Sequence, residues 1–284
     1  VSGQTPAKSN GTLKNILQRT FSGIVYLVLI IGALLLGKIA FAIVFLILGL
    51  LALYEFYRIS RSAGGNPLVA AGLAIGAFLF IIAFGNASGM VSSAAWFIVP
   101  VLVIFLLVFA MLTGKKDIFK ELGITILGLV YIILPLCTMN YLVFHEAFAS
   151  GYTHRIVLGI LILVWINDTG AFLAGISLGR HRLLPSVSPK KSWEGAIGGT
   201  LLTLATALWL NRLMGMLSMT DWIVLALIVS VFGVLGDLVE SMFKRNADVK
   251  DSGSLIPGHG GILDRIDSIL FVMPVSMAYL SVFI

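Results

Sequence analysis

Ser241-Met-Phe-Lys-Arg-Asn-Ala-Asp-Val-Lys-Asp-Ser-Gly-Ser-Leu-Ile-Pro-Gly-His-Gly-Gly-Ile-Leu-Asp-Arg-Ile-Asp267 is the longest polar, charged and glycine-rich passage of the chain. It falls between two apolar runs, 221–240 and 263–284, and a bilayer-spanning helix needs about 20 mostly apolar residues. Lys244, Arg245, Lys250 and Arg265 share the passage with Asp248, Asp251, Asp264 and Asp267. Gly253, Gly258, Gly260 and Gly261 leave backbone N–H groups open to close approach, and Pro257 stiffens the turn. Between two membrane helices such a loop reads as a site for an anionic, metal-bound substrate.

Outward from that loop the chain is mostly apolar. Of 284 residues 59% are hydrophobic and 11% charged, and mean hydropathy is +1.05, against about one quarter charged in an ordinary soluble domain. The composition predicts an all-α, polytopic integral membrane protein. The span rule predicts nine transmembrane helices at 20–37, 39–54, 68–84, 93–112, 121–144, 155–179, 195–217, 221–240 and 263–284. Only Gly37-Lys38 separates the first two, so they form a tight hairpin or one re-entrant element. Residues 1–12 are polar and breaker-rich and read as a disordered tail, and no small-residue cleavage site follows the first span, which is taken as retained. Residues 13–150 then hold helices one to five, and 151–284 hold helices six to nine with the site. With the N-terminus cytoplasmic, 16 of the 19 Lys and Arg fall on the inner side, as the positive-inside rule expects. That bias accounts for the net charge of +6 without a nucleic-acid partner. The single cysteine, Cys137, allows no intrachain disulfide.

This orientation puts two long loops, 180–194 and 241–262, on the cytoplasmic side, next to the helices that carry intramembrane acids. Such acids are costly in a bilayer and face a cavity, a partner or an ion. Asp168 lies in Trp165-Ile-Asn-Asp-Thr-Gly170, and Asp237 and Glu240 lie near the inner end of the eighth span. Asp237, Glu240, Ser241 and Lys244 follow the i, i+3, i+4, i+7 rule and share one helix face; Asp264, Asp267 and Ser268 repeat it. Two adjacent helices thus each present a carboxylate pair, a hard oxygen donor set suited to Mg²⁺. Asp264 could instead cap its helix, with Asp267 offsetting the dipole, but that leaves Asp237 and Glu240 unexplained. Lys190, Lys191, Lys244, Arg245, Lys250 and Arg265 would meet phosphates, or serve only as positive-inside residues. His259 could contact a phosphate or hold the turn, and without a second His or Cys nearby zinc is discounted. Glu55, Arg58 and Arg61, at the end of span two, read as interface anchors. His145 and His154 carry no assignment.

The stretch from Ser241 to Asp267 resembles the signature of the phosphatidate cytidylyltransferases, or CDP-diacylglycerol synthases. Matching positions are Ser241, Lys244-Arg245, Lys250-Asp251, Pro257-Gly-His-Gly-Gly261 and Asp264-Arg-Ile-Asp267. Trp165-Ile-Asn-Asp-Thr-Gly-Ala171 and Ser188-Pro-Lys-Lys-Ser-Trp-Glu-Gly195 also resemble the family, though Phe172 stands where Tyr is common and Asp248 where Gly is common. The close resemblance spans about 165–270. It implies transfer of a cytidylyl group from CTP to phosphatidic acid, giving CDP-diacylglycerol and pyrophosphate. It further implies Mg²⁺, with room for a second cation such as K⁺, a homodimer, and a site in the inner membrane of a bacterium that faces the cytoplasm.

On this reading the candidate catalytic residues are Asp168, Asp237, Lys244 and Asp264. Metal ligands come from Asp237, Glu240, Asp264 and Asp267, with Asp237 and Asp264 matching the family's metal-binding acids. Ser188, Lys190, Lys191, Arg245, Lys250, His259, Gly260, Gly261 and Arg265 are the substrate-binding candidates. A cation- or proton-coupled transporter is the competing reading, but the halves show no repeat and the N-terminal half has no matching acids. A CTP enzyme acting on another lipid, such as an isoprenoid or ether lipid, would share the same metal and nucleotide site.

Overall fold

The computed structural model describes residues 9–114, 117–253 and 260–284. Of the motif residues, Pro257, Gly258 and His259 lie outside them, as do residues 1–8 of the expected tail. The chain is helical almost throughout. Among the described residues ten α-helices follow in order: α1 Ser9–Leu35, α2 Lys38–Ser62, α3 Val69–Ala87, α4 Ile98–Thr113, α5 Ile118–Gly128, α6 Leu134–Val143, α7 Arg155–Leu178, α8 Trp193–Met214, α9 Met219–Asn246 and α10 Leu263–Phe283. A 3₁₀ turn, Ser93–Phe97, leads into α4, and a π turn, Leu129–Ile133, joins α5 to α6.

Every predicted span coincides with a helix, yet among the described residues only seven helical segments are both long and apolar enough to cross a membrane. The two that fall short are the apolar part of α1, Thr20–Leu35, which is too short, and α8. Gly195, Gly198, Gly199 and Thr200, Thr203 and Thr206 dilute the apolar content of α8. Residues 9–12, expected in the tail, belong to α1, which begins at Ser9. The first two spans are separate helices, turned at Gly37, whose φ of 105° is open to glycine.

The two halves pack by different means. Large side chains fill the interior of α1–α6: Phe41, Phe45, Phe56, Tyr57 and Phe80 are all buried. Tyr57 donates to the Thr125 carbonyl at 2.8 Å, and Thr125 Oγ1 accepts from Leu68 N at 2.9 Å, tying α2, α5 and the start of α3 together. Pro135 cannot donate to the ladder, and the helix widens into its π turn just before it. In the C-terminal half, α7, α8, α9 and α10 pack in sequence along small residues. A Cβ on Gly170 would stand 3.1 Å from the Gly199 Cα, and one on Gly195 2.8 Å from the Ala171 carbonyl oxygen. Small residues let membrane helices approach closely enough for backbone contact. α10 also lies against α6, and Tyr131 joins the halves, its ring packed on Phe56, Phe243 and Phe271.

The stretch 180–194, read as a loop, contains a short antiparallel hairpin, β1 Arg182–Leu184 with β2 Ser188–Ser192. Glu194 closes its base, accepting from Arg180 N at 3.1 Å and lying 2.6 Å from His181 Nδ1. Ser192 caps α8 by accepting from Gly195 N at 3.1 Å.

Candidate active site

The end of α9 and the start of α10 cross at Gly236. A side chain there would collide with the Asp267 carbonyl oxygen, so this crossing admits only glycine. Ser268 Oγ donates to the Gly233 carbonyl at 3.1 Å and fixes the register of the pair. The consequence is chemical: carboxylate oxygens of Asp237, Glu240 and Asp267 come within 4.8 Å of one another. Glu240 is 1% exposed, and its Oε1 has no hydrogen-bond partner while its Oε2 takes the Lys244 ammonium. A buried carboxylate oxygen left without a donor, beside two further carboxylates, fits a hard cation such as Mg²⁺.

Asp264, predicted to join them, is not in that group. Its Oδ1 accepts from Lys244 Nζ at 2.6 Å, and its Oδ2 accepts from Gly261 N at 2.7 Å and Ser252 N at 3.0 Å. Gly261 N–H, expected to be free for a ligand, is spent inside the protein. Gly260, with φ 83°, supplies the left-handed residue that turns the chain back onto Asp264. Lys244 therefore sits between Glu240 and Asp264, bridging the two helices.

Other candidates line a cavity of about 750 Å³ beside the acids. Asp168, Lys190, Lys191, Asp237, Asp264, Arg265 and Asp267 all reach its wall. Lys191 Nζ lies 2.8 Å from Asp237 Oδ2, and Ser241 Oγ donates to Asp237 Oδ1 at 3.1 Å. Asp168 is exposed into the cavity, not buried in a helix interface. Asn167, its neighbour, is buried and accepts from Thr203 Oγ1 at 3.3 Å, which locks α7 to α8. Ser188 sits in β2, where Arg245 reaches over from α9 to donate to the Val187 carbonyl at 3.4 Å. Ser188, Arg245 and Lys250 are not part of the cavity wall, and Lys250 is exposed. Apolar residues line the same cavity: Ala171, Phe172, Ile176 and Val234 are among them, and Phe172 and Ile176 are also exposed.

Two residues read as interface anchors belong to this site's framework. Glu55 is buried and accepts from Leu263 N at 2.9 Å, and Arg58 donates to the Ser252 carbonyl at 2.9 Å. The sequence offered one signal, an acid inside an otherwise apolar run, but its partner stands 197 positions away. Arg182 was also missed: it lines the cavity and donates from Nη1 to the Lys190 carbonyl at 3.3 Å.

The Cytidylyltransferase family model matches residues 17–283 of this chain. The chain belongs to the Cytidylyltransferase family. A Bacillus subtilis relative named phosphatidate cytidylyltransferase is 34% identical over 272 residues, covering 94% of this chain and 98% of its own length. A Staphylococcus aureus relative of the same name is 35% identical over 259 residues, 90% of this chain and 95% of its own. Likeness to the family thus extends well beyond the 165–270 stretch where its motifs are legible. For a cytidylyltransferase the polar wall of the cavity makes sense, and membership in a transferase family sets aside the transporter reading.

Proposed function

We propose that this cytidylyltransferase transfers CMP from CTP to phosphatidic acid, as the names of its relatives say of them, releasing pyrophosphate. One observation carries the reading: the same cavity is lined by Asp237, Asp267, Lys190, Lys191 and Arg265 and by Phe172 and Ile176, two apolar side chains that are also exposed at the surface. A soluble triphosphate suits the charged residues and a lipid's acyl chains the apolar ones.

In the reaction a phosphatidate oxygen bonds to the α-phosphorus of CTP, and the bond from that phosphorus to the α,β-bridging oxygen breaks. The attacking oxygen is already anionic, so no strong base is needed. What the protein must do is bring two polyanions together and stabilise charge on the leaving pyrophosphate. Asp237, Glu240 and Asp267 would hold Mg²⁺, which supplies Lewis-acid stabilisation of the phosphate oxygens. Asp264 would join them only by giving up Lys244. Lys191 and Lys244, each now held by carboxylates, are the ammonium groups nearest the acids and would pass to phosphate oxygens. Lys190, Arg182 and Arg265 add positive charge to the cavity, which Asp168 also lines. A second cation such as K⁺ is part of the proposal, as the family resemblance implies. Lys/Arg placement supports an N-terminus and catalytic wall on the cytoplasmic side of a bacterial inner membrane. A homodimer, with no nucleic-acid partner, completes the proposal.

Pyrophosphate release by the purified protein with CTP, Mg²⁺ and phosphatidic acid in detergent tests it. Release that needs both CTP and the lipid, and fails with ATP, is expected. Release without lipid, or none with any lipid phosphate, would overturn the reading.

A further inference from the structure

Glu55 lies on α2, far in sequence from the Ser241–Asp267 loop, and is 1% exposed. Its Oε2 stands 2.9 Å from Leu263 N, the first residue of α10, and 3.1 Å from Ser252 Oγ. Ser252 and Leu263 therefore meet on one carboxylate oxygen. Ser252 Oγ is also 2.9 Å from Asp264 Oδ2, so one hydroxyl proton serves two carboxylates. Arg58, three residues along the same face of α2, holds the Ser252 carbonyl from the other side.

The backbone path says the same thing. A side chain on Gly253 would collide with Glu55 Oε1, and one on Gly261 with Glu55 Oε2 and Ser252 Oγ. Gly253 and Gly261 thus pass directly against the carboxylate. From Glu55 a continuous polar chain then runs through Ser252 to Asp264, from Asp264 to Lys244, and from Lys244 to Glu240 in the acid cluster. Glu55 itself is absent from the cavity wall.

We infer that Glu55 is a positioning residue, the internal clasp by which the N-terminal half holds Ser252 and the start of α10 and, through Ser252 and Asp264, aims Lys244 at the acid cluster. It acts on the loop and touches no substrate. Burying a carboxylate is costly, and the donors that Ser252 and Leu263 bring to Oε2 offset part of that cost. The inference rests on the CTP reading for its consequence, but the clasp itself is a structural claim.

The test uses the full-length protein in detergent, comparing wild type with Glu55→Ala, Glu55→Gln and Ser252→Ala. Glu55→Ala should lower kcat about 10- to 100-fold and raise the Mg²⁺ requirement several-fold, as loss of outer-shell partners does elsewhere. The KM for phosphatidate should stay within about twofold, because Phe172 and Ile176 both lie on α7 and not on the clasped segment. Glu55→Gln keeps an oxygen that accepts both bonds and should restore most of the activity. Trypsin cleavage after Lys244, Arg245 and Lys250 should be faster in Glu55→Ala and near wild type in Glu55→Gln. If Glu55→Ala folds poorly, Ser252→Ala should shift the Mg²⁺ requirement in the same direction. Wild-type kcat, Mg²⁺ requirement and cleavage rate in Glu55→Ala would overturn the clasp, as would Glu55→Gln behaving like Glu55→Ala. Should the wild type make no product from CTP and phosphatidate, the CTP reading fails instead, and the cleavage rates still decide the clasp.

Discussion

Near the end of α9, Asp237 and Glu240 stand three residues apart; at the start of α10, Asp264 and Asp267 repeat the spacing. On α9 both acids point toward the crossing, and Asp267 meets them there from α10. Asp264, one turn earlier, has both oxygens occupied by donors from Lys244, Ser252 and Gly261. The same motif on two helices thus serves two purposes, gathering charge on one side and folding the loop on the other. Helical periodicity sets which residues share a face, but the partner across the interface decides what that face does.

The largest effect should come from removing either key acid. Asp237→Asn and Asp264→Asn should each cost on the order of 10²- to 10³-fold in turnover, with the protein still folded. The comparison is sharpened by how they fail. Asp237→Asn should lose Mg²⁺-dependent protection against heating, read as melting temperature with and without Mg²⁺. Asp264→Asn should instead speed trypsin cleavage of the loop. Identical defects in both assays would erase the distinction between the two helix ends, and normal turnover in either would remove that acid from the site.

A smaller effect should follow from pushing the two ends apart. Gly236→Ala places a Cβ against the Asp267 carbonyl, and overpacking of this kind costs about 1–3 kcal/mol. The melting temperature should fall and the Mg²⁺ requirement should rise together. A stable variant with an unchanged Mg²⁺ requirement would show that the close crossing is not what gathers the acids.

The smallest effect has a sign that separates two readings of Lys191. Its ammonium now sits on Asp237, where it competes with a cation and waits for phosphate. Lys191→Ala should raise the KM for CTP about tenfold, the loss of one charge-assisted hydrogen bond, while lowering the Mg²⁺ concentration needed for half-maximal rate. Both quantities unchanged would return Lys191 to a positive-inside residue.

Much of this protein is legible in its sequence. Apolar run lengths locate the helical stretches, though not how many cross, because a bilayer demands that each span satisfy its own backbone and so writes the span into local composition. The cost of charge in such surroundings singles out Asp168, Asp237 and Glu240, and the spacing of the loop residues carries the family resemblance. What run length does not report is which helices are apolar enough once glycines and threonines are counted, so α8 and the short apolar part of α1 fall outside the seven. Nor does local sequence report partners. Asp264 looks like a third metal acid until Lys244 and the loop N–H groups are seen on it, and Glu55 looks like an interface anchor until Ser252 arrives from 197 residues away. Propensity and hydropathy are properties of neighbours along the chain, and they determined the helices and the candidate acids. Whether an acid holds a cation or a loop depends on donors brought in from elsewhere in the chain, and only tertiary packing decided that.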